Sequence, residues 1–152
     1  MANKFFPVSI DLNNKNILVI GAGKIALRKV ETLMSYNCNI LVITKDMLEE
    51  KFLELEKNNK IKILKNQEFD KKFLENIFLV IAATDNEVLN KNISQLCMSK
   101  NILVNNITSK DDMNVRFASI YEKDDIQIAI SANGNPKKTI VIKNKIKNIF
   151  EK

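Results

Sequence analysis

Glycine occurs only three times in this chain, and two of the three fall in one hexapeptide, Gly21-Ala22-Gly23-Lys24-Ile25-Ala26. The hexapeptide follows the apolar run Ile17-Leu18-Val19-Ile20 and opens a stretch in which Ala26, Val30, Leu33 and Met34 share a helical face. Strand, tight turn, helix is the context in which G-x-G-x-x-G/A becomes a dinucleotide-binding fingerprint. Gly21 permits the turn, Gly23 lets the backbone approach a pyrophosphate, and Ala26 is small enough for the helix to pack on the strand. The helix N-terminus adds free N–H groups and a partial positive charge for the phosphates.

The pattern then repeats. Asn39–Thr44 (NILVIT) reads as a second buried strand, and Asp46-x-x-Glu49 has capping-box spacing ahead of a helix carrying Leu48, Phe52 and Leu55. Residues 60–64 form a short third strand with Ile61 and Ile63 pointing one way, and residues 69–74 a short helix. Residues 77–82 (IFLVIA) are the most apolar run and therefore a central strand. Thr84-x-x-Glu87 is a second capping box, for a helix with Leu89, Ile93, Leu96 and Cys97 on one face, and residues 102–105 are the next strand. Alternating strands and helices with short loops imply a Rossmann-like, doubly wound parallel sheet of the α/β class, whose ligands sit beyond the carboxyl ends of the strands.

After Asn114 the pattern changes. Residues 116–121 and 126–131 alternate as two strands of a β-hairpin around the polar turn 122–125, and Asn135-Pro136 starts a terminal helix with the stripe Ile142, Ile146, Ile149 and Phe150. The division is a Rossmann-like domain over residues 1–113 and a hairpin-plus-helix region over 114–152. A hairpin and one helix cannot bury both faces alone. They are expected to form a dimerisation region making a homodimer, the alternative being that they fold back on their own sheet.

Composition narrows the chemistry. The chain has no histidine, which removes Ser-His and Cys-His nucleophilic catalysis and imidazole metal ligation, and no metal site is expected. The net charge of +6 suits a polyanionic ligand, but the lysines are spread without interleaved aromatics, so no nucleic-acid partner is expected. No apolar run reaches the roughly 20 residues of a membrane span, and the start of the chain is too short an apolar run for a signal peptide. A cytoplasmic protein without a membrane partner, with Cys38 and Cys97 as buried free thiols, is the expectation.

Several separated segments resemble one family. Phe6-Pro7-Val8-Ser9-Ile10-Asp11-Leu12, the fingerprint run through Arg28-Lys29, and Val80-Ile81-Ala82-Ala83-Thr84-Asp85 are similar to the siroheme synthase N-terminal family. Leu103-Val104-Asn105, Phe117 and the segment Ile130-Ser131-Ala132-Asn133-Gly134-Asn135-Pro136 continue the likeness in the same order. The family comprises precorrin-2 dehydrogenases, some of which are also sirohydrochlorin ferrochelatases. The resemblance implies NAD-dependent oxidation of precorrin-2 to sirohydrochlorin.

Carried over position by position, the resemblance places Lys24 and Ile25 at the pyrophosphate and adenosine side, Thr44, Lys45 and Asp46 near the ribose, and Ala83 and Thr84 beside the NAD cofactor. The second strand ends on Thr44 where an acidic ribose ligand is usual, and Asp46 is either that ligand or a helix cap. The family's catalytic aspartate position is occupied by Thr108, with Asp111 and Asp112 nearby. The family's Gly-x-Ser-Pro is Gly134-Asn135-Pro136 here, and longer members continue into a helical region. Arg116, Lys137 and Lys138 are candidate partners for substrate carboxylates, with Asn105, Ser131, Asn133 and Asn135 as hydrogen-bonding groups. Hydride transfer needs chiefly a positioned nicotinamide, whereas metal insertion needs a base for the pyrrole protons, so ferrochelatase activity is doubtful with threonine at 108. The alternative is a non-catalytic NAD- or tetrapyrrole-binding module that acts with a partner enzyme.

Overall fold

The computed structural model describes residues 4–46 and 49–151. They divide into two compact units, Met1–Val115 and Arg116–Lys152. In the first, β1 (Asn16–Ile20), β2 (Asn39–Thr44), β3 (Lys62–Lys65), β4 (Leu79–Ala82) and β5 (Leu103–Asn106) form one parallel sheet in the order β3-β2-β1-β4-β5. The helices α1 (Lys24–Leu33), α2 (Lys51–Lys57) and α3 (Glu87–Ser99) and a 3-10 turn (Lys71–Leu74) connect the strands. This is the α/β Rossmann-like architecture expected from the alternating pattern.

The apolar runs explain the order. Ile17, Leu18, Val19 and Ile20 are each at most 3% exposed, because β1 lies between β2 and β4 and is covered on both faces. Burial of each such side chain contributes about 1.5–3 kcal/mol. On one face Leu18, Ile20, Val80, Ala82 and Val104 pack with Ile93 and Cys97 of α3 and with Leu74. Burial pushes the Cys97 thiol up to about 11, which makes it an inert core residue. Cys38 is half-buried, with its thiol donating to the Leu33 carbonyl at 3.4 Å.

The chain winds outward from β1 through β2 to β3, then crosses back to β4 and β5 on the other side. The winding reverses between β1 and β4, and the crevice beyond that pair is where sheets of this kind hold their ligands.

Both expected capping boxes are corrected. The second helix starts at Lys51 with Glu50 at its N-cap and no side-chain cap, so Asp46 does not cap it; Leu48 lies outside the described residues. The Thr44 hydroxyl donates to the Asp46 carbonyl at 2.5 Å. In α3 the cap is Asn86, whose Oδ1 accepts from the Leu89 N–H at 3.0 Å, because Thr84 is engaged elsewhere.

In the second unit β6 (Ser119–Lys123) and β7 (Ile126–Ile130) pair antiparallel. Asp124 and Asp125 alone make the turn, since Glu122 and Lys123 still pair with Gln127 and Ile126. Asp124 takes φ +53° there, a conformation that aspartate tolerates. The terminal helix α4 (Pro136–Phe150) starts as the sequence indicates, with Pro136 at its first position and Asn135 Oδ1 accepting from the Lys138 N–H. The Ser119 hydroxyl bonds to that of Thr139 at 3.0 Å, and the Tyr121 and Phe150 rings lie 5.9 Å apart. The apolar stripe is largely bare in the single chain, with Ile142 43% and Ile149 70% exposed. Among the described residues no helix is long and apolar enough to cross a membrane.

Candidate functional site

A cavity of about 880 Å³ opens beyond the carboxyl ends of β1, β2, β4 and β5, within the first unit. The fingerprint forms its floor, with Gly21, Gly23, Lys24 and Ile25 all on its lining. Gly21 has φ +103°, and a Cβ there would stand 2.3 Å from the Ala83 carbonyl oxygen. Only glycine lets the loop after β1 lie against the end of β4 in this way. The loop is fixed from both sides, by Gly21 N–H donating to the Ile43 carbonyl at 2.9 Å and by Ala83 N–H donating to the Ile20 carbonyl at 2.8 Å.

Helix α1 points its N-terminus at this cavity. Its N-cap is Gly23, which brings no side chain to cap it, and its first turn holds no acidic residue. An uncapped, positively polarised helix end at the floor of a crevice suits a phosphate group. The residues present therefore fit a dinucleotide pyrophosphate.

The second rim comes from β2 and the segment after β3. Thr44, Lys45 and Asp46 line it, as do Gln67 and Glu68. The Thr44 hydroxyl is spent on the Asp46 carbonyl, so it has no hydrogen left for a ribose. Lys45 Nζ lies 3.0 Å from Glu68 Oε1, and the hydrogen bond to that carboxylate, with its charge, raises the Lys45 pKa.

The third rim holds Ala83, Thr84 and Thr108. They are organised by Asn90, a residue that sequence reasoning missed. Asn90 is fully buried on α3, on the face that also carries Ile93, Ser94 and Cys97. Its Oδ1 accepts from the Thr84 N–H at 3.1 Å and from the Thr84 hydroxyl at 2.7 Å. Its Nδ2 donates to the Thr84 carbonyl at 2.9 Å and to Thr108 Oγ1 at 3.2 Å. Thr108 Oγ1 in turn donates to Asn106 Oδ1 at 2.9 Å. Both donors and the acceptor of one amide thus tie the ends of β4 and β5 to α3.

All the cofactor positions named from the sequence and the resemblance, together with Thr108, meet at this one cavity. The other candidates are not among the residues that line it. Asn105 is turned inward, a correction to its reading as a substrate group of this crevice. Its Nδ2 donates to the Val115 carbonyl at 3.0 Å, and its Oδ1 is buried without a partner among the described residues. It sits on the opposite pleat from Asn106, so the register that turns Asn106 toward the Thr108 hydroxyl carries Asn105 away. Arg116, Ser131, Asn133 and Asn135 belong to the second unit, where Asn135 is the α4 cap. Lys137 and Lys138 are exposed in the first turn of that helix. Asp112 accepts from the Ser109 hydroxyl at 3.0 Å, and neither it nor Asp111 lines the cavity. Among the described residues no three His, Cys, Asp or Glu side chains gather as a metal site.

Comparison with known proteins agrees with this geometry. The siroheme synthase of Mannheimia succiniciproducens is 38% identical over 130 residues, which is 86% of this chain and 27% of that protein. That of Buchnera aphidicola subsp. Acyrthosiphon pisum is 37% identical over the same shares. The chain thus spans about a quarter of the length of these curated relatives. In the solved structure of SirC, a precorrin-2 dehydrogenase, the same fold recurs with a TM-score of 0.82 and 23% identity, covering 95% of this chain and 70% of that one. Residues 8–119 match the family model described as "Putative NAD(P)-binding". Those residues run from the extended entry to β1 through the whole parallel sheet and every rim of the cavity, and the chain belongs to this NAD(P)-binding family.

Proposed function

We propose that this chain is an NAD-dependent precorrin-2 dehydrogenase of siroheme biosynthesis, oxidising precorrin-2 to sirohydrochlorin. The observation that carries the cofactor half is the bare α1 N-terminus on a glycine loop pressed against β4 where the winding reverses. The substrate half rests on the siroheme synthase relatives. NAD⁺ held in the cavity would supply the acceptor for the hydride, and the accompanying proton would be lost to solvent. Gly21, Gly23, Lys24 and Ile25 hold the phosphates and adenosine side, Thr44, Lys45 and Asp46 face the ribose, and Ala83 and Thr84 fix the reacting end. Arg116, Ser131, Asn133 and Asn135 are proposed substrate contacts.

The Thr108 hydroxyl is neutral and already donates to Asn106, so it neither takes a pyrrole proton nor attracts a divalent cation. The proposal therefore includes weak ferrochelatase activity at most. It also includes a cytoplasmic homodimer formed through the second unit, supported by the bare apolar side chains of α4, among them Ile140 and Val141.

The test is anaerobic incubation of the pure protein with precorrin-2 and NAD⁺. NADH and sirohydrochlorin should form in equal amounts. A folded dimer that yields neither would refute the enzyme. Binding without turnover would leave the second reading, a binding module, which the engaged Thr108 hydroxyl favours.

Gly23→Asp bears on the phosphate subsite. The variant should stay folded and lose nucleotide affinity by about tenfold or more, because it puts a negative side chain at the uncapped helix end. Equal affinity in a calorimetric titration would reduce the loop to a plain turn.

A further inference from the structure

We propose that Glu68, contributed by the segment after β3, is a specificity-determining residue that turns the site away from 2′-phosphorylated nucleotides by occupying Lys45. The inference rests on the cavity being a nicotinamide dinucleotide site and adds which residue chooses between its two forms.

In dinucleotide-binding sheets the residue ending the second strand is usually acidic and receives the ribose hydroxyls, while a nearby cation accommodates a 2′-phosphate. This chain ends β2 on Thr44, whose hydroxyl is committed to the Asp46 carbonyl, and follows it with a cation, Lys45. From β2 alone the site would favour the phosphorylated form. Strand β3 changes that outcome. It runs parallel to β2 with Lys65 opposite Thr44, and Gln67 N–H donates to the Thr44 carbonyl at 3.0 Å. That bond brings the next residue, Glu68, to the same rim, where its carboxylate takes Lys45 at 3.0 Å.

The rim then holds one cation and two carboxylates, Lys45 against Glu68 and Asp46, for a net charge of minus one. A 2′-phosphate must take Lys45 from Glu68 and stand beside both carboxylates, whereas a 2′-hydroxyl meets neither cost. Both partners of the pair are mostly exposed, with side chains 71% and 74% accessible. Pairs of this kind add little to folding stability. The consequence is a change of ligand preference with little change in melting.

NAD⁺ and NADP⁺ are titrated calorimetrically into the full chain, into Glu68→Gln, and into Glu68→Gln combined with Lys45→Gln. The single variant should bind NADP⁺ about tenfold tighter or more, with NAD⁺ affinity held within about threefold. Adding Lys45→Gln should abolish the gain. An NADP⁺-to-NAD⁺ ratio unchanged within about twofold in the folded single variant would overturn the proposal, as would a gain that survives loss of the lysine. Failure of the unaltered chain to bind either nucleotide would instead bring down the cofactor reading itself, a result distinct from an unchanged ratio.

Discussion

Gly21→Ala should destabilise the protein by about 3 kcal/mol and remove nucleotide binding together with that stability. Two independent costs contribute. The backbone sits at φ +103°, which residues with a Cβ rarely adopt, and the added methyl would meet the Ala83 carbonyl oxygen at 2.3 Å. The neighbour is backbone and cannot rotate away, so the loop or the end of β4 must shift. Either shift weakens Gly21 N–H to the Ile43 carbonyl or Ala83 N–H to the Ile20 carbonyl, the bonds that position the crevice. Urea unfolding should show a lower midpoint with an unchanged slope, and calorimetry should show no saturable NAD⁺ binding. A variant with wild-type stability would mean that the loop relaxes freely, contrary to its double anchoring.

Asn90→Leu should be comparably damaging, at about 3 kcal/mol, although it replaces a polar side chain by an apolar one of similar size in the core. The gain in apolar burial does not offset what is stranded. Thr84 N–H, the Thr84 carbonyl and Thr108 Oγ1 each lose a bond to that one amide. The matched control is Asn92→Leu on the exposed side of the same helix, which should change stability by no more than about 0.5 kcal/mol. If the two substitutions cost the same, the Asn90 network is not what holds the third rim. If Asn90→Leu unfolds the chain, the milder Asn90→Ser, which keeps an acceptor, should fold and still fall clearly below the control.

The parts that were legible in the sequence are those governed by short-range rules. The glycine turn was legible because its backbone geometry excludes other residues, and β2 because the ILVI within NILVIT is an unbroken apolar run of the kind a buried parallel strand requires. Asn135-Pro136 marked the start of α4 because cap and proline act locally. The capping boxes misled for a tertiary reason. Thr84-x-x-Glu87 has the right spacing, but the Thr84 hydroxyl is claimed by Asn90, and Asn86 takes over as the cap. Asn90 itself escaped notice because a polar residue on an amphipathic helix reads as solvent-facing. Its spacing of three and seven residues from Ile93 and Cys97 was the available signal. Glu68 was illegible in principle: only the β2–β3 register brings it beside Lys45.

The most direct test is calorimetric titration of the pure 152-residue chain with NAD⁺. One saturable site per chain should appear, competed by NADH and weakened in Gly23→Asp. That result follows from a bare helix end, a glycine loop and three rims that converge on one cavity. No saturable binding by a folded protein, or binding indifferent to Gly23→Asp, would contradict it.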